Sequence, residues 1–340
     1  MSETGEWREA IAPGEGERFE ALARALVGAG QRDGRTLHRH ALAVLHARFE
    51  VAAGVPEPLR HGVCARPATY EAWVRFSSGA ARAQSDRVAD VRGFAVKVVG
   101  VEGAKVIPGL ESAPTQDFVM IPPRTFAFSD PDAFVAVAMA APRGAGAVFA
   151  ALRKHYGFFG TLRRLPALRR AQDASPRSLA ERTFHTALPI RWGPHAVKVR
   201  FRPAGVPPPV PAGAGDDVLS AEIAARARAH DLAFTVEVQR FVDERRTPIE
   251  DPTVEWREDV SPWAGVARLL IPAQDAASPR GRALADYAER LSFDPWHALA
   301  EHRPLGAIMR ARGAAYRLSV EARAARSELE VVPPSAVGGA

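Results

Sequence analysis

Three groups of residues, far apart in the chain, carry side chains suited to chemistry. The first is Arg35-Thr-Leu-His38-Arg-His40, with His46 close behind. Imidazole changes charge near neutral pH, so each of these histidines is a candidate for taking up and returning a proton. The second is Val74-Arg75-Phe76-Ser77-Ser78-Gly79, followed by Asp90-Val-Arg92-Gly93-Phe94-Ala95-Val96-Lys97. It mixes hydroxyl, carboxylate and guanidinium groups. The third is Arg312-Gly-Ala-Ala-Tyr316, with Arg323 further along. Positions 312 and 316 fall on one face of a helix, and a tyrosine phenolate is a hard anionic ligand suited to ferric iron. The chain has no G-x-G-x-x-G, Walker A or H-E-x-x-H segment, so dinucleotide, nucleoside-triphosphate and zinc-protease chemistry lack motif support.

The elements that must position these groups can be read from periodicity. Helical spacing of apolar residues marks 15–29, and a polar, turn-like stretch covers 30–40. Residues 41–53 read as a buried segment entering a strand. Tyr70–Phe76, Gly93–Val101, Gln116–Ile121, Ala196–Phe201, Ala233–Phe241 and Val266–Ile271 have strand composition or alternation. Helices are expected over 130–141 with Ser129 as N-cap, and over most of 143–182 with breaks at Gly157, Gly160 and Pro166. Further helices are expected at 219–230, 281–291, 296–302 and about 305–325, with a Pro/Gly loop over 206–217. Non-adjacent strands, with helices inserted mid-chain and gathered at the C-terminus, predict an α+β fold rather than alternating βαβ units. The expected organisation is an N-terminal helical arm (1–29), one main domain (30–328) and a disordered tail (329–340).

Composition sets the outer limits. With 340 residues, 47% hydrophobic and 25% charged, the chain is an ordinary globular protein large enough to enclose a cofactor. Its 27 Gly and 28 Pro favour a turn-rich, β-containing fold over a helix bundle. The single cysteine, Cys64, excludes an intramolecular disulfide and any Cys-based cluster. No signal-like segment and no run of ~18 apolar residues is present, so the expected location is the cytoplasm. The net charge of +6 comes from an Arg excess concentrated between Arg143 and Arg182. A solvated basic surface accounts for most of it, and no nucleic-acid partner is expected. Residues 148–171 mix aromatic, Leu and Arg side chains. That composition fits a helical insert packed on the core with a solvated basic face better than it fits the alternative, a weak peripheral membrane contact.

The second group, WVRFSSG…DVRGFAVKV, resembles the R-F-S…D-x-R-G-F-A-V-K core of the catalase superfamily. Arg35-x-x-His38 resembles the family's distal R-x-x-H, and Arg312-x-x-x-Tyr316 its proximal R-x-x-x-Y. The resemblance spans about residues 30–325 and is closest to a short, divergent catalase-like branch. It implies an antiparallel β-barrel core with inserted and C-terminal helices around haem b, and Tyr316 as the axial ligand of the haem iron. It further implies His38 and Ser77 as catalytic residues, with the serine orienting the imidazole. Arg35, Arg75 and Arg323 would meet the haem carboxylates, Arg312 would support the tyrosine, and Phe134 would lie over the haem edge. Asp90 and Arg92 would hold the barrel. His38, rather than His40 or His46, keeps both the R-x-x-H spacing and its distance to Phe49.

The implied activity is peroxide consumption of the catalase or peroxidase type, with an unassigned reductant and a homo-oligomer as a further expectation. A distal asparagine expected after QDFVM has no counterpart at Ile121-Pro122-Pro123-Arg124, which favours peroxidase action or larger hydroperoxides. Allene oxide synthase-like conversion of lipid hydroperoxides is an alternative. Leu37 argues against it, because that branch carries threonine before the distal histidine. A non-enzymatic haem-binding protein is the remaining alternative.

Overall fold

The computed structural model describes residues 6–28, 35, 37–80, 84–172, 178–205, 208–209 and 215–338. Most of the turn-like stretch 30–40 and of the Pro/Gly loop 206–217 lies outside them.

The strands are β1 (Ala41–Val51), β2 (Ala68–Ser77), β3 (Gly93–Val99), β4 (Thr115–Met120), β5 (Phe184–His185), β6 (Ile190–Trp192), β7 (His195–Pro203), β8 (Leu232–Arg240) and β9 (Ala264–Ile271). They form one antiparallel sheet in the order β4-β3-β2-β1-β9-β8-β7-β5, with β6 paired to β7. Just past β4, Ile121 exchanges both backbone hydrogen bonds with His185 of β5, at 3.0 and 2.7 Å. That bridge nearly closes the sheet into a barrel, satisfying edge groups that would otherwise be left open.

Alternation explains which side chains fill it. Leu45, Ala47 and Phe49 of β1, Val74 and Phe76 of β2, and Phe94, Val96 and Val98 of β3 belong to one buried interior, completed by Phe118, Phe184, Phe201 and Phe234 from the other strands. Phe94 alone packs against Phe76, Phe184, Phe201 and Phe234, with centroids 4.7–5.8 Å apart. The opposite parity of the same strands, Val44, Trp73, Ala95 and Val99, forms a second core on the outer wall.

The helices are α1 (Glu15–Gly28), α2 (Pro131–Ala140), α3 (Ala145–Ala171), α4 (Val218–Ala229), α5 (Pro279–Glu289) and α6 (Ala307–Ala322). α5 covers the outer-wall core with Leu284, Tyr287 and Ala288. α1 packs along α6, and Arg310 of α6 reaches both Glu15 of α1 and Glu9 ahead of it.

The α+β barrel expected from the sequence is present, with local differences. The short strands β5 and β6 lie outside the expected ones, and α3 breaks at Gly157 but runs on through Gly160 and Pro166 to Ala171. Asp130, not Ser129, caps α2, its carboxylate accepting the Asp132 N–H at 3.1 Å. Where a helix was expected at 296–302, only the turn Ala300–His302 is helical. The C-terminal residues up to Gly338, expected as a loose tail, are folded onto the barrel. Val331 is buried, and Ser335 hydrogen-bonds through its N–H and hydroxyl to the Glu71 carboxylate. Pro333-Pro334 and the glycine end deny them a helical or strand period in sequence, but the outer wall supplies both an apolar surface and a carboxylate for them.

Candidate functional site

Where β1 begins, His38 sits in the left-handed backbone region, with φ of 53°. A non-glycine residue there is strained and must be held by its surroundings. Arg75 of β2 holds it, donating to the carbonyls of His38 and Arg39, both at 3.0 Å. The His38 N–H donates to the Gly79 carbonyl. The ring is fixed by a hydrogen bond between Nδ1 and the Ser77 hydroxyl, at 3.1 Å. Burial, with the Arg75 and Arg312 cations adding to it and Asp90 opposing, pushes the imidazole down to about 4. The ring is therefore neutral at neutral pH and able to accept a proton.

Behind this corner, Asp90 and Arg92 latch the loop after β2. The Asp90 carboxylate accepts from the Ser78 hydroxyl and the Ala80 N–H, both at 2.9 Å, while Arg92 donates to Ser78 and to the carbonyls of Asp86 and Val88. Neither His46 nor the segment Ile121–Arg124 joins the site. The His46 ring pairs with Glu71 at 3.5 Å. Ile121 forms the barrel bridge, and Pro122 offers its carbonyl to the His185 ring at 2.8 Å.

Arg35, Arg75 and Arg323 converge at the C-terminal end of α5. Arg35 pairs with Glu289 at 2.8 Å and donates to the carbonyls of Ala288 and Leu291. Arg323, at the end of α6, donates to the carbonyls of Glu289 and Leu291. Arg75 lies 3.8 Å from the Glu289 carboxylate. Free carbonyls at a helix end attract cations, yet three guanidiniums meet a single carboxylate here, so two positive charges are in excess. Burial and the neighbouring cations hold Arg75 down to about 9 and Arg323 down to about 10. The buried Nε of Arg75 has no hydrogen-bond partner. Such a cluster favours an anionic ligand carrying about two charges.

On α6, Arg312 donates to the Tyr316 Oη at 3.1 Å, with its guanidinium 5.6 Å from the ring centre. Gly313, one residue on, leaves room for Trp296: a Cβ there would fall 2.8 Å from the indole nitrogen, which donates to the Met309 carbonyl. The Arg312 charge is felt by His38, and Arg323 by Arg75. The tyrosine helix and the histidine corner thus border one electrostatic region. Phe134 of α2 is half-buried in a cluster with Phe126 and Phe128, at 5.2 and 5.8 Å, separate from the histidine corner's hydrogen-bond set. Sequence reading missed Glu289, which carries no motif, and the role of Gly93, which lay unremarked inside the quoted R-G-F-A-V-K segment.

No family model matches this chain, and no curated protein matches it. Solved structures do. A fungal catalase aligns over 98% of this chain and 67% of its own length, with a TM-score of 0.69 at 14% identity. Catalase A from Saccharomyces cerevisiae aligns over 96% and 68%, with 0.67 at 14%. A bacterial catalase aligns over 98% and 65%, with 0.62 at 13%. The chain therefore has a catalase-like fold and spans about two thirds of the length of these catalases.

Proposed function

We propose that this chain binds haem b between α6 and the histidine corner and consumes a peroxide there. The observation that supports this most directly is the charge balance of the Arg35–Arg75–Arg323 cluster. Its excess of two positive charges matches the two carboxylates of haem, and it adjoins the helix carrying the one candidate axial ligand, Tyr316. A hard phenol oxygen suits ferric iron, and the catalase-like fold is consistent with the same arrangement.

Haem, when bound, supplies the redox chemistry. The protein's own part is positioning and proton transfer. Arg312 fixes the orientation of the Tyr316 Oη. Ser77 engages His38 Nδ1, so Nε2 is the atom that takes the proton from one peroxide oxygen and returns it to the other. Because burial keeps the imidazole neutral, this acceptor is ready at neutral pH. Arg75 ties the two halves together, bracing the His38 turn while facing the anion site.

The test is an absorption spectrum of protein expressed with haem supplied. A high-spin ferric spectrum of the tyrosinate type is expected, and Tyr316→Phe should change it. No Soret band, or a Tyr316→Phe spectrum like the parent's, would overturn the proposal. His38→Ala should retain haem while peroxide consumption falls by roughly 10²–10⁴-fold, the usual worth of a general acid–base group.

A further inference from the structure

We propose that the bend of α3 is a docking surface for an anionic lipid bilayer.

α3 is two helical limbs broken at Gly157, whose backbone (φ 67°, ψ −178°) is far from helical. Both limbs use their inner faces against the same cluster. Val148, Ala151, Leu152 and Tyr156 from the first limb, and Leu165 and Leu168 from the second, pack with Phe128 and Phe134. The bend is fixed from within. The fully buried Thr161 hydroxyl donates to the Gly157 carbonyl at 2.7 Å, and the Arg164 guanidinium stacks 3.6 Å over the Tyr156 ring. With the inner faces occupied, the outer corner carries Phe158, Phe159 and Leu162, which are 52%, 83% and 44% exposed. Three large apolar side chains grouped at one rigid corner are costly to leave in water and mark an interaction surface.

Charge selects the partner. Arg153, Lys154, Arg163 and Arg169 are exposed around the corner, and no Asp or Glu occurs between Ala145 and Ala171. An apolar tip flanked by cations on an acid-free helix, with the nearby Asp130 facing His155 at 3.9 Å and Arg18 at 3.9 Å, is complementary to an interface that is apolar inside and negatively charged outside. Among the described residues no helix is long and apolar enough to cross a membrane, so the contact would be peripheral. The same limbs pack against α2, so a docked bilayer would lie beside the barrel rather than far from it.

The test uses the full chain with vesicles of phosphatidylglycerol and phosphatidylcholine, and with phosphatidylcholine alone, in co-sedimentation. Binding is expected to the anionic vesicles, to weaken with salt, and to be far weaker on the neutral ones. Phe158→Ser with Phe159→Ser should lower the partition coefficient by at least about tenfold. Arg163→Gln with Arg169→Gln should lower it by about fivefold for each cation removed. Both variants should keep the parent's circular dichroism spectrum. Absence of binding to anionic vesicles, equal binding to neutral ones, or variants that bind like the parent would overturn the proposal. So would a parent oligomer that the Phe pair dissolves without any vesicle binding, since the corner would then cover a second copy of the chain.

Discussion

Gly93 faces the His38 ring across the histidine corner. A Cβ at this position would lie 2.5 Å from the Ser77 Oγ and 2.6 Å from His38 Nδ1. No real side chain tolerates such distances, and the neighbours cannot yield cheaply, because the hydroxyl and the ring nitrogen are bonded to each other. Gly93→Ala is therefore expected to break the Ser77–His38 pair and turn the imidazole. Peroxide consumption should fall by about tenfold or more, while the Soret band of the haem-loaded protein remains. A variant that consumes peroxide like the parent would mean that the ring orientation fixed by Ser77 is irrelevant. The neighbouring stretch of β2 shows how little room separates function from packing: Arg75, two residues before Ser77, serves the strand, the His38 turn and the anion site at once.

At the scale of elements, β3 and β4 are tied to the C-terminal segment by buried charge. Lys97 of β3 is fully buried on the outer wall and bonds to both oxygens of Asp117 of β4, at 2.8 and 2.9 Å. It also pairs with Glu328, which in turn accepts from Thr115. His297 stands 3.2 Å from Glu328 and 3.4 Å from Asp117. Burial works against the Lys97 ammonium, but the two carboxylates outweigh it and raise its pKa. Lys97→Met should cost about 3–5 kcal/mol, the usual consequence of stranding buried carboxylates. It would be read as a lower urea midpoint at unchanged m-value. In a double-mutant cycle, Lys97→Met with Glu328→Gln should cost less than the two single changes added together. Strict additivity would refute the pairing. The neighbouring stack of Trp73 on Tyr287, at 5.1 Å, and the Trp73 indole hydrogen bond to the Val332 carbonyl complete the seam.

For the whole molecule, buried histidines set the acid limit. Burial pushes His185 down to about 4 and His302 down to about 3. Both are nearly inaccessible, and His302 lies 4.1 Å from the Trp192 ring with its Nε2 accepting from the Val63 N–H. An unfolded histidine titrates near ~6.5. As pH falls below that value, the unfolded chain takes up protons that the native one refuses, so stability is lost between pH about 6.5 and 4. Each of the two groups contributes on the order of 3 kcal/mol over that window. His297 has the opposite sign. Burial works against its charge, as does Lys97, yet Asp117 and Glu328 raise its pKa, so its stabilisation persists in acid and is lost as pH rises through the raised value. With His38 counted, three strongly depressed histidines against one raised one predict a Tm that falls steadily from pH 6.5 to 4 in scanning calorimetry. A flat or rising Tm would contradict this balance.

The sequence by itself determined the long barrel strands, though not the short β5 and β6, the order of the three chemical segments and the pairing of Arg312 with Tyr316. Strand alternation and helix spacing are local, and a four-residue interval on a helix fixes a shared face wherever the helix goes. The resemblance implied a structural role for Asp90 and Arg92, and in the structure they latch the loop after β2. Tertiary structure alone decided the rest. The convergence of Arg35, Arg75 and Arg323 on Glu289 joins four segments far apart in sequence. The partners of the two histidines were equally out of reach: His38 meets Ser77 just ahead of β1, while His46, within β1, meets Glu71. The folding of the C-terminal residues onto the outer wall depends on a buried Lys97 that reads, in sequence, as an ordinary exposed lysine. These are long-range choices, made by what the barrel brings together and by the cost of leaving a buried charge unpaired. Neither can be read from a residue's own neighbours in the chain.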